Sequence, residues 1–591
     1  MAKENEESFL LQKPSRSSNS EHSFLVKIFD LFQHYFEVEL TIQSNESEVV
    51  VALPAWTPGS YMIRDYSSHL HQLSAKDLTS GKALSVDQVG LHKWKIKFES
   101  GAAVIRYIIY AFEDYTVRTN YLVSDFGFIN PAAMFLYEEG KIHVAVNIQF
   151  EVEPHFKNIY TALEKLNSNY AFCAKDYDEL YDSPFHLSNQ NSIFFETENC
   201  EHELLVEGNV PYHFKEKLAD DLKVITSKQI QDMGGSPNPY YLFVVNLSQA
   251  AYGGLEHKAC SINYFSPEQI FEDEEYKKLL ELLSHEYFHL WNIKRIRPIA
   301  LGPFDYQSPN LTRELWIAEG ATSFYDIYFL YVTGFLTKEE FVNRLQSDIL
   351  SLEETDAEQW MSLEESSFTA WNKYYKRNGN SHNNSVSYYT KGAALVLCMI
   401  LYLVRETNGE KTFLDIFRTL YKKFHIDKER GFTKHEFFDT AKEVTGVDLK
   451  LEFDHYLTKA IKLPIDEYLG IIGILRTESD MVADLKFKVK EKNGNLYVNK
   501  IISNFDSPSL DIQLEDEILA INGKRTNKQS FDRFEKLLKP KERIHILLAR
   551  FGQTKEVMIE TGSVFRTKKF MFSPDTPPEI KRLQEIFFSQ K

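Results

Sequence analysis

The pentapeptide His285-Glu286-Tyr287-Phe288-His289 constrains this chain more than any other feature. Residues four apart share one face of a helix. The preceding run, Glu274 to Leu283, repeats its apolar positions at helical spacing. On such a helix both imidazoles can reach one metal ion, and Glu286 stands beside the first as a general base for water. A catalytic zinc takes three protein ligands and keeps a further position open. Glu319 is the expected third ligand, in Leu315-Trp316-Ile317-Ala318-Glu319-Gly320-Ala321-Thr322. A lone helical Glu is usually a solvated charge. Here Trp316, Ile317, Ala318 and Phe324 surround it in the sequence and argue for a buried, paired carboxylate.

The rest of the chain supplies the frame for this helix. At about 100–200 residues per domain, 591 residues imply three or four domains. Residues 1–21 are polar and Ser-rich and read as a flexible tail. From His22 to Leu180 strands dominate. Tyr35 to Ile42 alternates apolar and polar residues, and Ala103 to Tyr110 is β-branched and aromatic. Residues 181–463 turn mainly helical, with candidate helices at Glu274–Lys294, Leu315–Val332, Lys338–Leu352, Tyr389–Thr407 and Lys411–Phe424. Short strands return from 464 to 565 around one helix near Phe531–Leu538, and residues 566–591 read as a C-terminal tail with a last helical pattern. The fold class is therefore multidomain α+β, with a β-rich N-terminal domain, a mainly helical catalytic domain and a small C-terminal module.

Composition excludes several roles. A formal net charge of -18 repels phosphate backbones, which argues against nucleic acid as a partner. The four cysteines, Cys173, Cys200, Cys260 and Cys398, form no CxxC pair, so buried free thiols are expected rather than a disulfide framework or a thiolate metal site. The first residues are acidic and carry no apolar core of a secretory signal. The longest apolar run, Gly392 to Val404, falls short of the roughly 20 residues that span a bilayer. A cytoplasmic location without membrane contact is the expectation.

Four stretches together resemble one family. His285 to Pro298 reads HEYFHLWNIKRIRP, Leu315 to Ser323 reads LWIAEGATS, Gly253 to His257 reads GGLEH, and Pro54 to Asp65 reads PAWTPGSYMIRD. Asp176 to Pro184 adds a fifth. The combination resembles the glycyl aminopeptidase family of metallopeptidases, in the gluzincin clan, from about Val26 to Gly523. The resemblance implies a thermolysin-like helical catalytic domain and one Zn2+ per chain on His285, His289 and Glu319, with Glu286 as general base. It implies that Glu256 holds the free α-amine of a peptide substrate, and that Tyr389 donates to the developing oxyanion. Tyr388 competes for the last role. Peptides with N-terminal Gly or Ala are the implied substrates.

Leu514 to Gly523, LEDEILAING, resembles the PDZ pattern, so residues 464–565 are expected to form a PDZ-like domain. It departs from that pattern at Glu515, where Gly usually precedes the Asp, and no Gly-rich loop precedes Phe487. Peptide capture or packing against the catalytic domain both fit this module. Two other readings of the whole chain share the motifs: a thermolysin-like endopeptidase, and a catalytically inactive PDZ-bearing peptide-binding protein.

Overall fold

The structure, a computed structural model, describes residues 22–99, 101–113, 116–247, 252–268, 270–502, 511–565 and 568–589. The segment read as an N-terminal tail, 1–21, lies outside the described residues. The chain is a multidomain mixed α/β protein that divides into two compact units.

The first unit holds residues 22–55, 65–113 and 119–189 and is β-rich. Its largest sheet has seven strands, with His22–Asp30, Tyr35–Gln43 and Ala102–Tyr110 near its centre. Alternation decides which face is buried. Phe36, Val38, Leu40 and Ile42 are fully buried, while Glu39 and Thr41 between the last of them are less so.

The second unit holds Trp56–Arg64, Thr116–Arg118 and everything from Gln190 onward. It opens with a five-stranded mixed sheet. Cys200–Glu207, Tyr240–Leu247 and Cys260–Phe265 run parallel, and short antiparallel strands, Ile193–Thr197 and Gly253–Glu256, form its two edges. Helices follow. Asp273–Phe288 carries His285 and ends one residue before His289, Ala321–Val332 packs beside it, and Thr390–Thr407 packs on Ala321–Val332. Thr390–Thr407 is buried along nearly its whole length, as its apolar run predicts. Among the described residues, no helix is long and apolar enough to cross a membrane.

Helix ends differ from the expected ones for identifiable reasons. The histidine helix stops at Phe288 rather than Lys294, because His289 turns its ring onto the Asn292 carbonyl. The stretch expected as one helix over Leu315–Val332 begins with a π-helical turn, Trp316–Gly320. Widening a turn weakens about one hydrogen bond, at roughly 0.5–1.5 kcal/mol. Burying Trp316 and Ile317 contributes about 1.5–3 kcal/mol each, so packing outweighs the distortion.

A glycine pair sets the spacing of two helices. A Cβ on Gly320 would lie 2.5 Å from the Gly392 Cα, and one on Gly392 would lie 2.8 Å from the Trp316 carbonyl oxygen. Only two glycines let these backbones approach so closely. The pair therefore fixes the start of Thr390–Thr407, just after Tyr389, against the turn that bears Glu319.

The C-terminal module is a small sheet with one helix, Lys528–Leu537. Glu515 adopts φ +65°, so the turn keeps a left-handed geometry although no glycine occupies it. Arg550 secures that turn through paired bonds to the buried Asp516 carboxylate, both at 2.8 Å. The residues read as a C-terminal tail are built into the unit. Lys568–Phe572 pairs with Ile474–Glu478, and the helix Pro578–Phe588 places the Phe588 carbonyl on the Tyr331 hydroxyl at 3.0 Å.

Candidate active site

Helical spacing alone brings the two imidazoles together. The His285 and His289 ring centroids lie 4.6 Å apart. The π-helical turn carries Glu319 to them, with one carboxylate oxygen 3.5 Å from His285 Nε2 and 3.3 Å from His289 Nε2. The three donor atoms lie within 4.8 Å of one another.

The opposite edge of each ring is occupied, which settles which nitrogen faces the site. His285 Nδ1 meets Asp326 Oδ2 at 2.8 Å, and His289 Nδ1 meets the Asn292 carbonyl at 2.7 Å. A carbonyl only accepts, so His289 donates from Nδ1 and presents the lone pair of Nε2. Burial works to raise the Glu319 carboxyl, but His289 and His285 outweigh it and hold it at about 2. Two imidazole lone-pair positions and one anionic carboxylate, converging within 4.8 Å, fit the ligand set of a divalent zinc ion.

Asn292 does more than orient His289. Its amide donates to the Ile317 and Ala318 carbonyls at 2.8 and 3.0 Å and to Thr322 Oγ1 at 3.0 Å. One fully buried side chain thus ties the end of the histidine helix to the turn that carries Glu319. Arg295 holds the same exit through the Leu290 carbonyl at 2.7 Å and Asn238 Oδ1 at 2.6 Å. Sequence reading assigned no chemistry to Asn292 and Arg295, leaving them support of the metal helix or packing, and missed Asp326. A signal for Asp326 was present, since an acid two turns after Glu319 in the apolar run Phe324 to Val332 is otherwise hard to place.

Glu286 lies on the same helix and faces the edge strand Gly253–Glu256. A Cβ on Gly254 would stand 2.1 Å from Glu286 Oε1, so the absent side chain makes the space for this carboxylate. Glu286 Oε2 is buried without a hydrogen-bond partner, an acceptor left open toward the site. Burial pushes the Glu286 carboxyl up to about 7, against the pull of His285 and His289.

Glu256 ends the same strand and is buried. Donor atoms of Glu256, Glu286 and His289 also fall within 4.8 Å of one another. Lys294 reaches the Glu256 backbone carbonyl at 3.4 Å. Arg118, half-buried, donates to the Gly254 carbonyl at 3.3 Å and lies in electrostatic reach of Glu256 and Glu286. Nothing in the sequence marked Arg118, because it arrives from a loop far along the chain.

The two tyrosines separate by burial. Tyr388 is fully buried in the core, whereas Tyr389 is half-exposed, with its ring nearly parallel to His285 at 6.3 Å between centroids. Tyr374 stacks on Tyr389 from the other side at 5.6 Å.

Two family models match the chain: M61 glycyl aminopeptidase over residues 278–395, and the Peptidase M61 N-terminal domain over residues 23–189. It is also similar to the crystal structure of an aminopeptidase N family protein from Idiomarina loihiensis, at 26% identity and a TM-score of 0.89, over 95% of this chain and 100% of that one. An M1 zinc metallopeptidase from Deinococcus radiodurans matches at 11% identity and TM-score 0.47, over 75% and 94% of the two chains. Leukotriene A4 hydrolase from Saccharomyces cerevisiae matches at 12% and 0.46, over 78% and 73%. No curated protein sequence matches. The family-model matches and the similarity to the aminopeptidase N family structure support a peptidase hydrolase.

Proposed function

We propose that the chain is a zinc aminopeptidase that removes a small first residue, Gly or Ala, from peptides. The observation that carries the exopeptidase mode is the closeness of Glu256 to Glu286 and His289, all within 4.8 Å. An α-ammonium held by Glu256 leaves its own residue's carbonyl, two bonds away, beside His285, His289 and Glu319. Carboxylate on ammonium is a charge-assisted contact of the stronger kind. The preference for Gly or Ala draws on the glycyl aminopeptidase model that the chain matches.

His285, His289 and Glu319 would hold the ion. When bound, zinc supplies Lewis-acid polarisation of a carbonyl and of water near neutral pH. Glu286 takes the proton from the attacking water and returns it to the leaving amine. The Tyr389 hydroxyl donates to the oxyanion as its charge develops. The edge strand Gly253–Glu256, whose Gly254 and Glu256 carbonyls also accept from Arg118 and Lys294, pairs with the extended substrate backbone. The C-terminal module is read as PDZ-like, packed on the helical part: the Ile501 carbonyl accepts from His382 Nε2 at 2.6 Å and Asn383 Nδ2 at 2.8 Å.

Release of p-nitroaniline from Gly-, Ala- and Leu-p-nitroanilide tests the proposal, before and after chelation and with zinc restored. Metal-dependent release favouring Gly or Ala is the expected result. An N-acetylated peptide should resist cleavage. Its cleavage at a rate equal to the free peptide would make the chain an endopeptidase, and binding without cleavage at saturating zinc would make it a binding protein.

Asp326 provides a separate check. Asp326→Asn keeps the volume but removes the anion on His285 Nδ1. Partners of metal-ligating histidines are worth roughly 10–100-fold in metal affinity. Zinc competition against a chromogenic chelator should show a loss of that size with an unchanged Tm. Wild-type affinity would remove Asp326 from the site.

A further inference from the structure

The surroundings of Glu256 bear on which first residue the site accepts. Both Glu256 carboxylate oxygens lie 2.8 Å from the point where a Cβ on Gly59 would stand, and Leu255 Cδ1 lies 2.6 Å from it. Gly59 has φ +84°, a conformation that favours glycine. The turn Thr57-Pro58-Gly59 therefore lays bare backbone directly against the carboxylate. The Gly59 carbonyl in turn accepts a hydrogen bond from the Tyr375 hydroxyl at 3.4 Å. Buried Tyr61 backs that ring edge-on, with centroids 6.2 Å apart and planes at 75°.

Tyr375 is half-buried, with part of its surface open to solvent. Burial pushes its phenol up to about 12; Arg118 works against the rise, and Glu319 and Glu256 add to it. The hydroxyl is thus within electrostatic reach of a carboxylate of the triad and of the carboxylate assigned to the amine. A peptide with its amine on Glu256 and its first carbonyl at the triad has its first α-carbon between these two groups. The contact of Tyr375 with Gly59 places that ring next to the same carboxylate.

We propose that Tyr375, latched to Gly59 and backed by Tyr61, is the wall that limits the first residue's side chain. Hydrogen and methyl fit beneath the ring, and branched or aromatic side chains collide with it. The latch is needed because a tyrosine free to rotate would yield to a larger substrate. This inference rests on the aminopeptidase reading above and assigns its specificity to one residue.

The test compares kcat/KM for Gly-, Ala-, Leu- and Phe-p-nitroanilide in the wild type, Tyr375→Ala and Tyr375→Phe. Tyr375→Ala should raise the Leu-to-Gly ratio roughly 10–100-fold, the scale on which apolar pockets discriminate side chains. Tyr375→Phe keeps the ring but loses the latch and should fall between the wild type and Tyr375→Ala. A Tyr375→Ala protein with an unchanged ratio overturns the proposal, as does a wild type that already prefers Leu. Where Tyr375→Ala does not fold, Tyr375→Leu gives the same comparison with more bulk retained. Failure of the underlying reading looks different: the wild type then releases nothing from any of the four substrates, and the wall has no role to play.

Discussion

Glu286→Gln is expected to stop turnover while the protein keeps its metal. The substitution preserves the volume, so the close approach to Gly254 survives. It replaces an acceptor with an amide that cannot take the proton of the attacking water. General acid–base catalysis contributes roughly 10^2–10^4-fold, equivalent to about 3–5 kcal/mol of barrier. The fall should appear in kcat, with zinc content measured on the same sample by mass spectrometry. A variant with wild-type kcat would end the general-base assignment. Loss of zinc along with activity would lead elsewhere. Donor atoms of Glu256, Glu286 and His289 also cluster within 4.8 Å, so Glu286 would then be acting as a ligand in an alternative site that shares His289.

The parts of this site that the sequence revealed are those carried by local periodicity. His285, Glu286 and His289 follow from one helical turn, and the helix is present where the apolar spacing put it. Glu319 was harder, since its approach depends on a π-helical turn that no spacing rule anticipates. What exposed it was its apolar company, a cue about burial rather than geometry. Tyr388 and Tyr389 could not be told apart by pattern, because the residue at the start of a helix can turn either way. Burial separates them: Tyr388 is in the core and Tyr389 is partly exposed. Gly59, Arg118 and Tyr375 stayed invisible for a deeper reason. They come from three distant segments, and their roles exist only once Glu256 is in place. The strand-rich beginning, the helical middle and the β-containing end were legible where alternation and helical spacing survive, but the longest helix, Tyr212–Met233, was not among the expected ones. The termini of those elements were not, because tertiary contacts such as His289 on Asn292 set them.

Glu256→Gln should separate recognition of the amine from the chemistry. Glu256 is buried, its carboxylate is packed on Gly59 backbone, and its own carbonyl is held by Lys294. The amide keeps the shape, so the strand and the histidine helix should stay as they are. It loses the negative charge that an incoming ammonium requires. Truncating one partner of a buried, hydrogen-bonded charge pair costs about 2–5 kcal/mol. In kcat/KM for Gly-p-nitroanilide this is roughly 30-fold to several-thousand-fold, since each 1.4 kcal/mol is tenfold. The magnitude alone would not distinguish an amine anchor from a general disturbance of the site. The discriminating readout is the ratio of cleavage of a free peptide to that of its N-acetylated form. An anchor that selects for the ammonium loses its selectivity with its charge, so the ratio should collapse toward one while zinc content stays full. A variant that slows both substrates equally would show that Glu256 supports the fold of the strand and leaves the choice of chain end to another group.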